Sequence, residues 1–174
     1  MMRPRADEFA AFYSTYITLV PEDDVLPALR EQVGVMRKLA ASVPVVKETH
    51  AYDAGKWTVR QIIGHLTDAE RVFSYRALCF SRSDATPLPA FDENAYVDHA
   101  RFNDVPLADM VEEFVLLRSA NVKMFESLRD DQWTASGVAN KNSISVRALA
   151  YVMAGHVRHH LNILRDRYTL TVEV

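Results

Sequence analysis

Three of the six histidines in this 174-residue chain, His156, His159 and His160, fall within one apolar segment, LAYVMAGHVRHHLNILRDRY. On an α-helix, side chains four positions apart stand one above the other, so His156 and His160 present two imidazoles from rigid backbone on one face. That pair suits a divalent first-row metal. A third donor is expected from His65 in WTVRQIIGHLTDAERVF. A lone histidine on an apolar face is ordinarily a core residue bonded to a carbonyl. Two on the same buried face each need a polar partner, and coordination satisfies both at once while other groups fix the outer ring nitrogens. The residues therefore read as a three-histidine metal site, His65, His156 and His160, for zinc or nickel, with iron or manganese as further candidates.

The remaining donors are weighed against that site. His159 lies on the flank of the same face, where it could orient a ligand or touch a substrate. His50 and His99 fall in connecting segments and are expected in solvent, with His99 having a route into the site from a long loop. HVRHH lacks the glutamate of the HExxH metalloproteases, and no glutamate is followed three residues later by histidine, which removes the di-iron bundle pattern. Three neutral imidazoles without a carboxylate leave coordination positions open for water or substrate, as in a catalytic centre more than a structural one. Asp68, Glu70, Asp92 and Glu93 are candidate fourth ligands, each otherwise read as charged surface. Cys79 lies about 21 Å along the helix from His65 at 1.5 Å per residue, too far to share the metal, and reads as a small buried hydrophobe.

Four helices must position these groups. Val25, Leu29, Val33, Met36 and Ala40 recur three and four apart and predict a first helix over 24–41. Thr58 and Gln61 form a capping box that opens a second over 59–80, with Ile62, Leu66, Ala69, Phe73 and Phe80 on its stripe. His65 lies about 60° off the centre of that stripe, beside Val72 and Arg76, and can reach the interior. A third helix, 105–128, carries Leu107, Met110, Phe114, Leu117, Asn121, Met124 and Leu128, with Pro106 in its first turn. Ser145 is the expected N-cap of a fourth that runs to Tyr168 and sets Leu149, Met153, His156, His160 and Ile163 on one stripe. Phe9, Phe12, Tyr13, Tyr16 and Ile17 predict a short helical arm packed on the bundle or, alternatively, an exposed dimer contact.

The joint SRSDATPLPAFDENAYVDHARFNDV exceeds the usual loop length, and such a segment covers a site or crosses the bundle. A crossover makes helices two and three parallel, so the expected fold is all-α, a four-helix bundle with up-down-down-up topology, in a single domain over 1–174. Five glycines and seven prolines argue against a turn-rich β fold, and 49% hydrophobic residues suffice for a sizeable core. A net charge of −3 with mixed signs leaves no footprint for nucleic acid or an anionic membrane, so the expected partner is a small molecule. No run reaches the roughly 18 apolar residues of a membrane span, and no secretory signal is evident, which predicts a cytoplasmic address.

The stretches KWTVRQIIGHLTDAERVFSYRAL, PLPAFDENAYV and ISVRALAYVMAGHVRHHLNILRDRY, in that order and with the arm YSTYITLVPEDDVLPAL, resemble the DinB/YfiT-like superfamily in its DinB_2 branch. The resemblance implies a four-helix bundle, often a homodimer, with a metal held by three histidines that map onto His65, His156 and His160. It also implies chemistry: S-transfer or isomerisation with a low-molecular-weight thiol, or metal-dependent hydrolysis. A similar bundle forms part of iron-dependent sulfoxide synthases, but those carry H-x3-H-x-E, and here Asn162 stands at the glutamate position. The leading expectation is a thiol-dependent S-transferase acting on a small electrophile. A hydrolase is the alternative, and a non-catalytic, metal-binding or stress-related helical dimer is the competing class.

Overall fold

The structure is a computed structural model and describes residues 3–172. Four long helices dominate: α1 Val25–Ser42, α2 Val59–Ser81, α3 Leu107–Glu126 and α4 Val146–Tyr168. Local chemistry starts three of them within a residue of where the sequence places them. Asp24 accepts from Leu26 N at 3.1 Å, Thr58 and Gln61 exchange the two bonds of a capping box, and Ser145 accepts from Ala148 N at 3.1 Å. The α3 helix begins two residues later than expected because Pro106 is its N-cap residue rather than part of its first turn.

Two groups of buried side chains fix the topology. One joins the start of α1 (Val25, Leu29), the ends of α2 (Phe73, Phe80) and α3 (Val122, Phe125), and the start of α4 (Leu149, Val152). The other joins the end of α1 (Met36, Leu39), the starts of α2 (Ile62, Leu66) and α3 (Leu107, Phe114), and the end of α4 (Leu161, Leu164). Helices α1 and α4 therefore run one way and α2 and α3 the other, which is the up-down-down-up bundle. None of the helices is long and apolar enough to cross a membrane, among the described residues.

Between the two apolar groups lies a polar cluster that the sequence did not announce. Arg118 is fully buried and grips Glu70 through two bonds of 2.8 Å, while Asn121 donates to the same carboxylate at 2.9 Å. Arg118 also donates to Gln32 and to the Met153 carbonyl, and Gln32 donates to the Ala154 carbonyl at 2.8 Å. All four helices thus meet in one hydrogen-bonded group. It corrects two expectations. Glu70 is not surface, and the buried face of α3 is rotated toward Val111, Val115, Arg118, Val122 and Phe125, leaving Leu117, Met124 and Leu128 only half-buried.

The connections carry more structure than expected. The crossover contains a short helix, Glu93–His99, and a 3-10 turn, Phe102–Asp104. Between α3 and α4 stands a small hairpin, β1 Ser136–Ala139 paired with β2 Asn142–Ser145, turned by Asn140 and Lys141 at positive φ. Leu88 of the crossover bonds to this hairpin in both directions, Leu88 N to Val138 O at 2.9 Å and Asn140 N to Leu88 O at 3.1 Å. The crossover is thereby pinned across one end of the bundle. The arm residues Ala11–Tyr13 and Ser14–Ile17 are helical turns with Tyr13 and Ile17 buried, so the arm packs on the bundle. Gly155 makes that approach possible: a Cβ there would stand 2.0 Å from the Tyr16 carbonyl.

Candidate metal centre

The antiparallel contact of α2 with α4 brings the three expected histidines together. His65 Nε2 lies 3.0 Å from His156 Nε2, which lies 3.1 Å from His160 Nε2, and the three residues offer ligand atoms within 4.8 Å of one another. All three are buried, at 6%, 5% and 8% exposure. A nitrogen carries either a proton or an in-plane lone pair, so three Nε2 atoms facing one another cannot all be well satisfied by sharing protons. A divalent cation would satisfy all three, since bonds of about 2 Å in tetrahedral geometry separate donors by about 3.3 Å. The donor set fits such an ion. One detail departs from expectation: Nδ1 of His160 is buried and has no hydrogen-bond partner among the described residues, so no protein group fixes that outer nitrogen.

Electrostatics keep the cluster in its ligand form. Burial, followed by repulsion from His159, pushes the His65 pKa down to about 4. Burial, followed by the neighbouring imidazoles, holds His156 and His160 well below the ordinary value. A base whose folded pKa lies below its unfolded 6.5 contributes stability that is complete above pH 6.5 and lost as pH falls toward 4. Metal-free protein is therefore expected to melt at progressively lower temperature between pH 6.5 and 4, with His65 alone contributing roughly 3 kcal/mol of that loss. Thermal melts of wild type and His65→Leu across this range check it, and parallel pH profiles for the two would contradict it.

The histidines floor a cavity of about 360 Å³. Tyr16, Trp57, Phe73 and Phe91 form its aromatic walls, and Arg76, Glu93 and Asn140 bring polar groups to it. The elements described above place these residues. Gly155 lets the arm set Tyr16 edge-on to His156 and His159, with centroids 5.1 and 5.5 Å apart. Tyr168 donates to the Trp57 carbonyl, and the Trp57 ring lies 4.8 Å from His65. The pinned crossover supplies Ala90, Phe91 and Glu93. A smaller hollow of about 270 Å³ adjoins His160 and Trp57 beside Tyr52, Lys56 and Tyr168.

The other expected donors divide cleanly. His159 is half-buried, lines the cavity and stacks edge-on to His160 at 5.1 Å. Of the candidate fourth ligands, Glu70 is committed to Arg118 and Asn121, Asp92 caps its own short helix, and Asp68 lines a different cleft beside Arg71. Glu93 alone among them lines the cavity, and it is exposed. Cys79 is buried in the apolar core at the far end of α2. His99 ends the Glu93–His99 helix, exposed, with its ring against the Ala95 carbonyl at 2.7 Å, and His50 is exposed beside Tyr168. Neither enters the site. The sequence gives no signal for Trp57 and Phe91 as cavity groups, and it places Arg76 on the same side of its helix as His65 without marking it as part of the site.

A four-helix bundle with a crossover and three histidines at its waist defines a recognisable class. The chain belongs to the DinB superfamily, whose DinB_2 family model matches residues 28–164. A protein of Oceanobacillus iheyensis, provisionally named a metal-dependent hydrolase, is 28% identical over 112 residues, covering 63% of this chain. The match spans 64% of that relative's own length. Among solved structures, YfiT from Bacillus subtilis, described as a probable metal-dependent hydrolase with an unusual four-helix bundle topology, superposes with a TM-score of 0.75 at 17% identity. That match covers 97% of this chain and 94% of YfiT. The mycothiol-dependent maleylpyruvate isomerase superposes at 0.66 and 11% identity, covering 83% of this chain and 60% of its own. At these identities the two structures speak to the fold.

Proposed function

We propose that the chain is a metal-dependent enzyme in which His65, His156 and His160 hold a divalent cation, zinc or nickel, and in which a low-molecular-weight thiol is transferred to a small electrophile. The observation that carries this reading is the convergence of three neutral ring nitrogens, with no carboxylate among them, on the floor of an aromatic-walled cavity. A divalent cation there would supply the charge that lowers the pKa of a thiol or a water. The protein's own groups do the rest. Burial keeps the imidazoles unprotonated, so they donate lone pairs at neutral pH. Tyr16, whose pKa is raised by burial and then by the charge of Glu93, keeps its hydroxyl proton and can donate a hydrogen bond into the cavity. The aromatic walls exclude water from one side of the bound molecules.

Hydrolysis is the second reading. It is favoured by Glu93, a carboxylate at the cavity that could take a proton from water, and by the descriptions of the Oceanobacillus relative and of YfiT. The two separate in one assay set. Metal-loaded protein is expected to accelerate conjugation of a thiol to monobromobimane, with cysteine, coenzyme A, glutathione, mycothiol and bacillithiol tried in turn. The rate should vanish on chelation and in His65→Ala. Ester or amide hydrolysis with metal and no thiol transfer would favour the second reading, and inactivity in both would favour a metal-binding protein without catalysis. A homodimer belongs to the proposal, with the exposed side of α3, where Leu116 is 64% exposed, as a candidate apolar face. Light scattering should give twice the chain mass, and a monomer mass at all concentrations would count against it.

A further inference from the structure

Two arginines are buried among the described residues, and they are treated differently. Arg118 is matched by the Glu70 carboxylate at 2.8 Å. The partly buried Arg60, Arg147 and Arg158 likewise meet Glu48, Glu8 and Glu22. Arg76 departs from this pattern. It is 3% exposed, yet it makes no ion pair among the described residues. Its Nη2 donates to the Pro89 carbonyl at 2.8 Å, the neutral Tyr13 hydroxyl lies beside it, and its Cζ stands 5.8 Å from the centre of the Phe73 ring. A guanidinium carries five donors, and leaving its charge buried without a counter-charge is destabilising.

Its position gives this a purpose. Arg76 lines the cavity that the histidines floor, and Phe73 bridges the two, with its ring centre 6.0 Å from that of His156. We propose that Arg76 is the anion-recognition residue of this cavity and that the molecule it takes is a small organic carboxylate. The acid group forks onto the guanidinium, and the apolar body lies along Phe73 toward the histidines. Glu93 lines the same cavity and repels a second negative charge, which favours a monoanion over a phosphate dianion. The apolar walls ask for carbon between the acid and the reacting end. This deepens the proposed function by naming a substrate class and rests on the cavity being the reactive site, although the binding it describes does not need the metal.

The test is calorimetric titration with 3-phenylpropionate and its uncharged amide, on wild type and Arg76→Gln, each metal-loaded and chelator-treated. Wild type should bind the acid roughly 10- to 100-fold more tightly than the amide in both metal states, as expected for a charge-assisted bond. Arg76→Gln should bring the two within about threefold while keeping its metal, and Arg76→Lys should fall between. An acid bound no more tightly than the amide by wild type overturns the proposal, whether or not the variants fold. A preference that survives in Arg76→Gln also overturns it, and if that preference requires metal, the carboxylate sits at the histidines and the metal reading stands without this one. A preference that depends on Arg76 in protein that never takes up metal supports the proposal and defeats the metal reading.

Discussion

Arg118→Met and Glu70→Met are each expected to destabilise the fold by about 3–5 kcal/mol, the effect of stripping one partner from a buried ion pair. Both side chains are almost wholly removed from water, at 0% and 2% exposure. Removing either leaves a charge in the middle of the bundle with only neutral partners, Asn121 for the carboxylate or Gln32 and a carbonyl for the guanidinium. The pair itself is not a large net stabiliser, because desolvating both charges offsets most of their attraction. The double replacement Glu70→Met with Arg118→Met should therefore be less harmful than the sum of the single changes. Urea denaturation of the four proteins measures this as a double-mutant cycle. Single variants within about 1 kcal/mol of wild type would mean that water or a shifted side chain solvates the remaining charge.

Nothing local in the sequence reveals this cluster, since its members come from four helices and its central pair is 48 residues apart. Helix ends are a different case. Caps and apolar spacing act within a few residues, so the recurrence that begins at Val25, Thr58 with Gln61, and Ser145 place the starts of α1, α2 and α4 within one residue. On α3 the same spacing rule chose the wrong edge of the buried face, because it counts Leu117 and Met124 as apolar and Arg118 as surface. The structure inverts that preference by giving Arg118 a carboxylate. The hairpin went unread for a related reason. Its strands are four residues each, and Asn140-Lys141 lacks the glycine that makes such a turn conspicuous.

At the site, the i, i+4 pair was legible because one helix carries both rings, and His65 was legible because its angle on α2 reaches the interior. The walls were not. Tyr16 and Phe91 arrive on the arm and the crossover, whose paths are set by Gly155 and by the Leu88 bridge to the hairpin, and of the crossover's cavity groups only Glu93 stands out in the sequence, as a candidate donor. Trp57 depends on the contact of Tyr168 with its carbonyl. These are long-range contacts with no periodicity to betray them.

The second large effect concerns the histidines. His156 stands between the other two, within hydrogen-bonding distance of both, so His156→Ala is expected to lower metal affinity by more than about 100-fold, beyond the range seen when only an outer partner of a ligand is lost. His65→Ala and His160→Ala should do the same. His159→Ala should keep its metal, because His159 flanks the cluster and is absent from the group of converging donors. Each variant should lose catalysis in proportion to the metal it loses, apart from His159→Ala, where activity can fall while occupancy holds. Equal occupancy across all four variants would remove the three-histidine assignment.

The central claim is that these three side chains form a metal centre. It is met most directly by elemental analysis of the protein purified from metal-supplemented medium, beside His156→Ala prepared identically. Close to one equivalent of zinc or nickel per chain is expected in wild type and almost none in the variant. An empty wild-type protein, or a variant as fully loaded as wild type, would contradict it.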